Sequence, residues 1–231
     1  MLSNVVKDSM FWGVILSLVS YGIGVRLKQK FHSGVLNPLL IAIIITVAFL
    51  LIFHIDVSTY EASTNYLNYL LTPATVCLAI PLYEKLQTLK DNWKAIFAGV
   101  VSGVLTSLSF MLLCCIVFGL SHDEYVTALP KSITTAIGID LSVEFGGMKA
   151  LTAIFIILTG VIGNVISDLV FRIFRIKDPV ARGVALGTSA HAVGTSRALE
   201  YGEVEGAMAS LSIVTAGLLT VILSPLFAGL Y

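Results

Sequence analysis

Gly187-Thr188-Ser189-Ala190-His191-Ala192-Val193-Gly194-Thr195-Ser196-Arg197 is a small, hydroxyl-rich run, broken by glycines and carrying one imidazole and one guanidinium. It lies between two long apolar stretches. Polar, glycine-broken backbone is tolerated at bilayer depth only where it is buried in protein or lines a cavity. The run therefore predicts a broken membrane element with a binding role.

Composition sets the class. The 231 residues are 57% hydrophobic and 12% charged, and mean hydropathy is +0.94, whereas a soluble domain carries about 25% charged residues. The chain reads as an all-α polytopic membrane protein with one transmembrane domain over residues 1–231. A net charge of +0 argues against a basic face for nucleic acid. Cys77, Cys114 and Cys115 read as small apolar side chains without metal-ligand spacing, so no metal and no cofactor is expected. No GxSxG, HExxH or P-loop is present, so no catalytic residue is assigned and the protein is not expected to be an enzyme. The uncharged run 9–25 precedes Arg26, Lys28 and Lys30 and lacks a small-x-small cleavage site. It reads as a retained first helix.

Uncharged runs of roughly spanning length cover 9–25, 33–53, 62–83, 95–120, 150–167 and 206–231, since a helix needs ~20 residues to cross. Shorter runs cover 126–145 and 183–196. Arg26, Lys28 and Lys30, then Lys85, Lys90 and Lys94, then Arg172, Arg175, Lys177 and Arg182 make up ten of the 14 Lys and Arg residues. All three clusters should face the cytoplasm. With the N-terminus outside, the path makes about seven crossings. Residues 126–147 form a re-entrant or broken element on the outer side, 183–196 crosses outward, 206–231 returns, and the C-terminus is inside. A conventional span at 126–147 is the alternative, and it would place the Arg172–Arg182 cluster outside.

The segment Leu71-Thr72-Pro73-Ala74-Thr75-Val76-Cys77-Leu78-Ala79-Ile80-Pro81 is flanked by long apolar runs, as 187–196 is, and the two triplets run in opposite directions. Repeats at about 36–120 and 149–231 with discontinuous helices are the pattern of a secondary transporter. Proline and glycine free backbone groups there, and a half-helix N-terminus suits an anion. Candidate substrate contacts are Thr72, Thr75, Thr188, Ser189, Gly194, Thr195 and Ser196, joined by Ser132, Thr134 and Thr135 in the broken stretch 129–140. Each hydroxyl has a blander reading, a bond to its own helix or to a neighbouring one, in which the glycines allow close packing. Lys131 follows Pro130 and is either an anion partner or a side chain snorkelling to the outer surface, which the sequence slightly favours. His191 is either a proton or carboxylate partner or a satisfied buried group. Arg197 either pairs with Glu200 or meets a substrate carboxylate. Asp168 and Arg172 read first as an interfacial pair.

Ala74-Thr75-Val76-Cys77-Leu78-Ala79-Ile80-Pro81-Leu82-Tyr83, Leu129-Pro130-Lys131-Ser132-Ile133-Thr134-Thr135-Ala136 and Gly187 through Thr195 together resemble the LrgB/CidB family of bacterial membrane proteins. Leu36-Asn37-Pro38-Leu39 and Glu205-Gly206-Ala207-Met208-Ala209-Ser210-Leu211 fit the same pattern. The resemblance implies two functions. One is transport of small monocarboxylates of the pyruvate or glycolate type with an LrgA/CidA-like partner, as in a plastid glycolate/glycerate translocator that looks like a fusion of the two proteins. The other is antiholin-like control of murein hydrolase activity and autolysis through a holin-like partner. Both place the chain in a bacterial plasma membrane, in contact with lipid and compatible with a homo-oligomer.

Overall fold

A computed structural model describes residues 11–31, 37–77 and 79–231, and all regular structure among them is helical. The first residues of the 9–25 run, the start of the 33–53 run and Leu78 lie outside the described residues, as does the side chain of Thr75. The chain divides into two compact units, Met1–Cys77 and Leu78–Tyr231.

The first unit holds α1 (Trp12–Phe31), α2 (Pro38–Ile52), α3 (Val57–Asn68) and α4 (Leu71–Cys77). Asn37 starts α2 by accepting from the Leu39 and Leu40 N–H groups, and Pro38 occupies the first turn, where its missing N–H costs nothing. A Cβ at Gly13 would sit 2.1 Å from Ser63 Oγ. Its absence lets α3 approach α1 closely enough for Ser17 and Tyr60 to share a hydroxyl hydrogen bond of 2.7 Å.

The second unit holds α5 (Ala79–Glu84), α6 (Leu86–Phe118), α7 (His122–Ala128), α8 (Thr135–Glu144), α9 (Lys149–Ile173), α10 (Pro179–Tyr201) and α11 (Glu203–Ala228). Of these, α6, α9 and α11 are long and apolar enough to cross a membrane. Three such helices among the described residues compare with six runs read from composition. The reasons are local. α1 carries Lys28 and Lys30 in its last turn, α2 is 15 residues long, and the 62–83 run is divided among α3, α4 and α5.

Two helical hairpins enter the second unit from opposite ends. The first is α7–α8. A capping box, Ser121 with Glu124, starts α7 three residues after α6 ends. The chain turns at Pro130, Lys131 and Ser132, and α8 returns to the start of α9. Thr152 Oγ1 on α9 lies within hydrogen-bond distance of the Thr127 carbonyl at 3.1 Å and of Ser142 Oγ at 2.7 Å, tying both arms to α9. Ser132 meets Ser107 at 2.9 Å, and Ser107 lies eleven residues short of the end of α6, about 16 Å along the helix axis.

The second hairpin is α10. Its backbone leaves the helical region at Ala190 (φ −127°, ψ 17°) and His191 (φ 42°, ψ −133°). A Cβ on Gly194 would lie 2.2 Å from the Leu186 carbonyl oxygen, although residues eight apart in a straight helix are about 12 Å apart. Arg182 near the start of α10 and Arg197 near its end both lie over the Tyr201 ring, at 5.7 and 4.8 Å. The two arms therefore end together. On α11, Gly183 and Gly187 of the first arm abut Glu205 and Ala209, while Leu199 of the second abuts Gly206. This corrects the expected outward crossing at 183–196. The run goes in and comes back.

α11 consequently starts at the end where α6 starts, with Lys85 paired to Glu203 at 2.7 Å. It finishes where α6 finishes, with the Tyr231 hydroxyl donating to the Leu120 carbonyl at 2.5 Å. α10 is the hub, packed on α6, α9 and α11. Its interfaces are built from small residues, because lipid supplies no hydrophobic drive for helix association and close van der Waals contact must do so. Gly103 lets Thr188 lie against α6, where a Cβ would meet Thr188 Cγ2 at 2.5 Å.

Gly194→Val should destabilise the protein by roughly 1–3 kcal/mol through overpacking. At about 2–4 °C per kcal/mol, purified protein should melt several degrees lower. Gly22→Ala, which meets nothing within 4 Å, should leave the melting point unchanged or slightly raised.

Candidate functional site

A cavity of about 1190 Å³ lies in the second unit, lined by α6, α9, the first arm of α10 and the α7–α8 tip. It runs from Asn92, Phe171 and Asp178, beside the starts of α6 and α10, to Lys131, Ser132 and Thr188 at the hairpin tips. The basic residues Lys90, Lys94, Arg172, Arg175, Lys177 and Arg182 cluster in sequence around the first of these ends. A second chamber of about 10 Å³, the size of one water, adjoins the hairpin-tip end and is lined by Ser107, Ser132, Thr188 and Thr220 among others.

The hairpin-tip end combines one cation with several hydroxyls. Lys131 Nζ donates to Ser107 Oγ and Ser132 Oγ, both at 3.2 Å. This position corrects the snorkelling reading, because the ammonium points to the middle of α6 and lines the cavity. Thr188 is 5% exposed, and its Oγ1 has no hydrogen-bond partner. A helical threonine usually satisfies itself on a carbonyl one turn back; the Thr188 hydroxyl does not, and Thr188 is a lining residue of both chambers.

The other sequence candidates divide sharply. Ser189 lines the cavity and bonds the Ala185 carbonyl at 2.6 Å. Thr195 and Ser196 satisfy their hydroxyls on the His191 and Val193 carbonyls of their own arm. Gly194 serves the close contact between the arms. Thr134 is the N-cap of α8 without a side-chain cap bond, and Thr135 is its first residue. Neither borders the two chambers. Thr72 is exposed on α4 in the first unit. The Pro-broken segment is itself divided, with Pro73 in α4 and Pro81 in α5, and α5 packs on α11.

His191 is 4% exposed and hydrogen-bonds the Ile156 carbonyl through Nε2 at 2.8 Å. A carbonyl only accepts, so Nε2 carries the proton. Its ring lies on Gly160, where a Cβ would come within 2.6 Å of it. His191 thus braces the α10 turn against α9 and does not border the cavity.

Arg197 is likewise engaged. It donates to Asp168 and to Glu200, and the Tyr201 hydroxyl donates to Asp168. Asp168 therefore bonds across to α10, in place of the i,i+4 partner Arg172 that the sequence suggested. Ser107 and Thr220 are the contributors that sequence reasoning missed, and Lys131 is the one it weighed but turned toward the surface. The signal for Ser107 was the small and polar stripe Gly99, Ser102, Gly103, Thr106 and Ser107 recurring at helical spacing in an otherwise apolar run.

The LrgB-like family model matches residues 17–230. Holin-like protein CidB of Staphylococcus aureus (strain Mu50 / ATCC 700699) is 38% identical over 218 residues, 94% of this chain and 95% of that protein. The protein of the same name from strain N315 matches to the same extent. No solved structure matches the chain.

Asp168→Ala should destabilise the protein by about 1–3 kcal/mol, because it strips a charged hydrogen bond from Arg197, a side chain only 12% exposed. Arg172→Ala should stay within about 0.5 kcal/mol of wild type. Thermal unfolding of the two variants side by side separates the cross-helix pair from the local one.

Proposed function

The chain belongs to the LrgB-like family, and on that premise we propose that it transports a small monocarboxylate anion of the pyruvate or glycolate type. The observation that carries this reading is the meeting of two opposed hairpin tips beside a large cavity. Discontinuous helices that converge at mid-depth from both ends are how secondary transporters build a binding site. The order helix, hairpin, helix, hairpin, helix from α6 to α11 supports an inverted arrangement centred on α9. It replaces the 36–120 and 149–231 pairing as the proposed repeat. An LrgA/CidA-like small membrane protein is the proposed partner.

By the positive-inside rule, the Lys85–Lys94 and Arg172–Arg182 clusters set the cavity mouth on the cytoplasmic face of a bacterial cell membrane. Because α10 returns, this reading moves the C-terminus to the outer face. A C-terminal alkaline phosphatase fusion should be active and a green fluorescent protein fusion dark. The reverse pattern would contradict this orientation.

The rival reading is control of a holin-like partner through helix contacts, and the name of the relatives, holin-like protein CidB, favours it. Flux separates the two. Protein reconstituted with its partner should take up labelled pyruvate or glycolate down an imposed gradient. Folded protein that moves neither anion under substrate or proton gradients would sink the transport reading.

A further inference from the structure

We infer that Lys131 and Thr188 form the carboxylate subsite of the cavity, and that its single cation selects a monocarboxylate over a dicarboxylate. The inference deepens the transport reading, resting on it only for the claim that what binds is also moved.

Four observations converge on the subsite. Lys131 sits at the α7–α8 tip, hydrogen-bonded to two neutral hydroxyls, and among the described residues it has no carboxylate partner. A lysine ammonium at the depth of mid-α6, away from bulk water, needs a counter-charge. Thr188, a buried residue, supplies a hydroxyl with no hydrogen-bond partner. The cavity joins these groups to the basic end of the unit, so an anion has a path to them.

Donor count fits one carboxylate. An ammonium has three N–H donors, and Ser107 and Ser132 take two. The third and the Thr188 hydroxyl are available for the two oxygens of one head group. Charge then sets the class of ligand. Lys131 is the one basic side chain among the described residues lining the cavity, and Asp178 at the mouth is the one acidic residue. Asp178 is occupied in capping α10, accepting from the Ala181 N–H at 2.8 Å. A second carboxylate on the ligand would find no cation in the cavity lining.

The test is equilibrium binding of radiolabelled pyruvate to the full chain, without partner, in nanodiscs of neutral phosphatidylcholine. Unlabelled lactate should displace the label, and succinate should need at least about tenfold more. Lys131→Gln should weaken binding roughly tenfold to a hundredfold, the size expected for a lost charged hydrogen bond, and Lys131→Arg should restore much of it. Thr188→Val, which keeps the shape and loses the hydroxyl, should weaken binding about three- to tenfold. It carries the test if Lys131→Gln does not fold.

Wild-type affinity in folded Lys131→Gln or Thr188→Val, succinate binding as tightly as pyruvate, or no pyruvate binding by wild type would each overturn the subsite. Unchanged flux in Lys131→Gln overturns the subsite and leaves transport standing. Pyruvate binding that depends on Lys131, in a protein that shows no flux, leaves the subsite standing and overturns transport.

Discussion

The reversal of the chain at Ala190 and His191 is the constraint on which the second unit depends. A non-glycine residue at φ 42°, ψ −133° stands in a region that costs on the order of 1–3 kcal/mol and persists only when its surroundings over-determine it. Here they do so three times. The imidazole donates to the Ile156 carbonyl, the bare α-carbon of Gly160 makes room for the ring, and the bare α-carbon of Gly194 lets the second arm close on Leu186. Removing any of these loosens the turn that positions Thr188.

Once α10 is folded back, the remaining architecture follows. Its two arms fill one half of the space between α6, α9 and α11, and the α7–α8 hairpin fills the other half from the far end. The arms are short, so their tips meet at Ser132 and Thr188 near mid-α6. Polar side chains placed there are sheltered from lipid, which is what lets a lysine and a cluster of hydroxyls exist at that depth. The outer ends are tied by polar contacts, with Arg197, Asp168 and Tyr201 binding the second arm to α9 and Lys85 holding the start of α11.

Much of this was legible in the sequence, and the reasons for the misses are physical. The run 187–197 announced a break, and the break falls inside it. The left-handed backbone falls on His191, and the glycines serve the close approach that was the second of the two readings open to them. The return of α10 was hidden because the basic clusters alone do not tell a crossing from a hairpin. Glu200 and Glu203, which follow the break, are partners of Arg197 and Lys85 at the basic end. Lys131 was visible but ambiguous, since its choice between surface and interior depends on a hairpin length that periodicity does not give. Thr195 and Ser196 looked identical to Thr188 and Ser189 in sequence. Only the fold-back distinguishes the arm that borders the cavity from the arm that does not.

The distance between the two ends of α10 decides whether the chain reverses there. Spin labels placed at exposed Ala181 and Leu199, in full-length protein in nanodiscs, can be measured by pulsed electron–electron resonance. A hairpin holds these positions at about the separation of packed helices, roughly 10 Å between backbones plus the length of the labels. A helix that crosses would hold them about 27 Å apart along its axis, and a distribution centred near that distance would contradict the account.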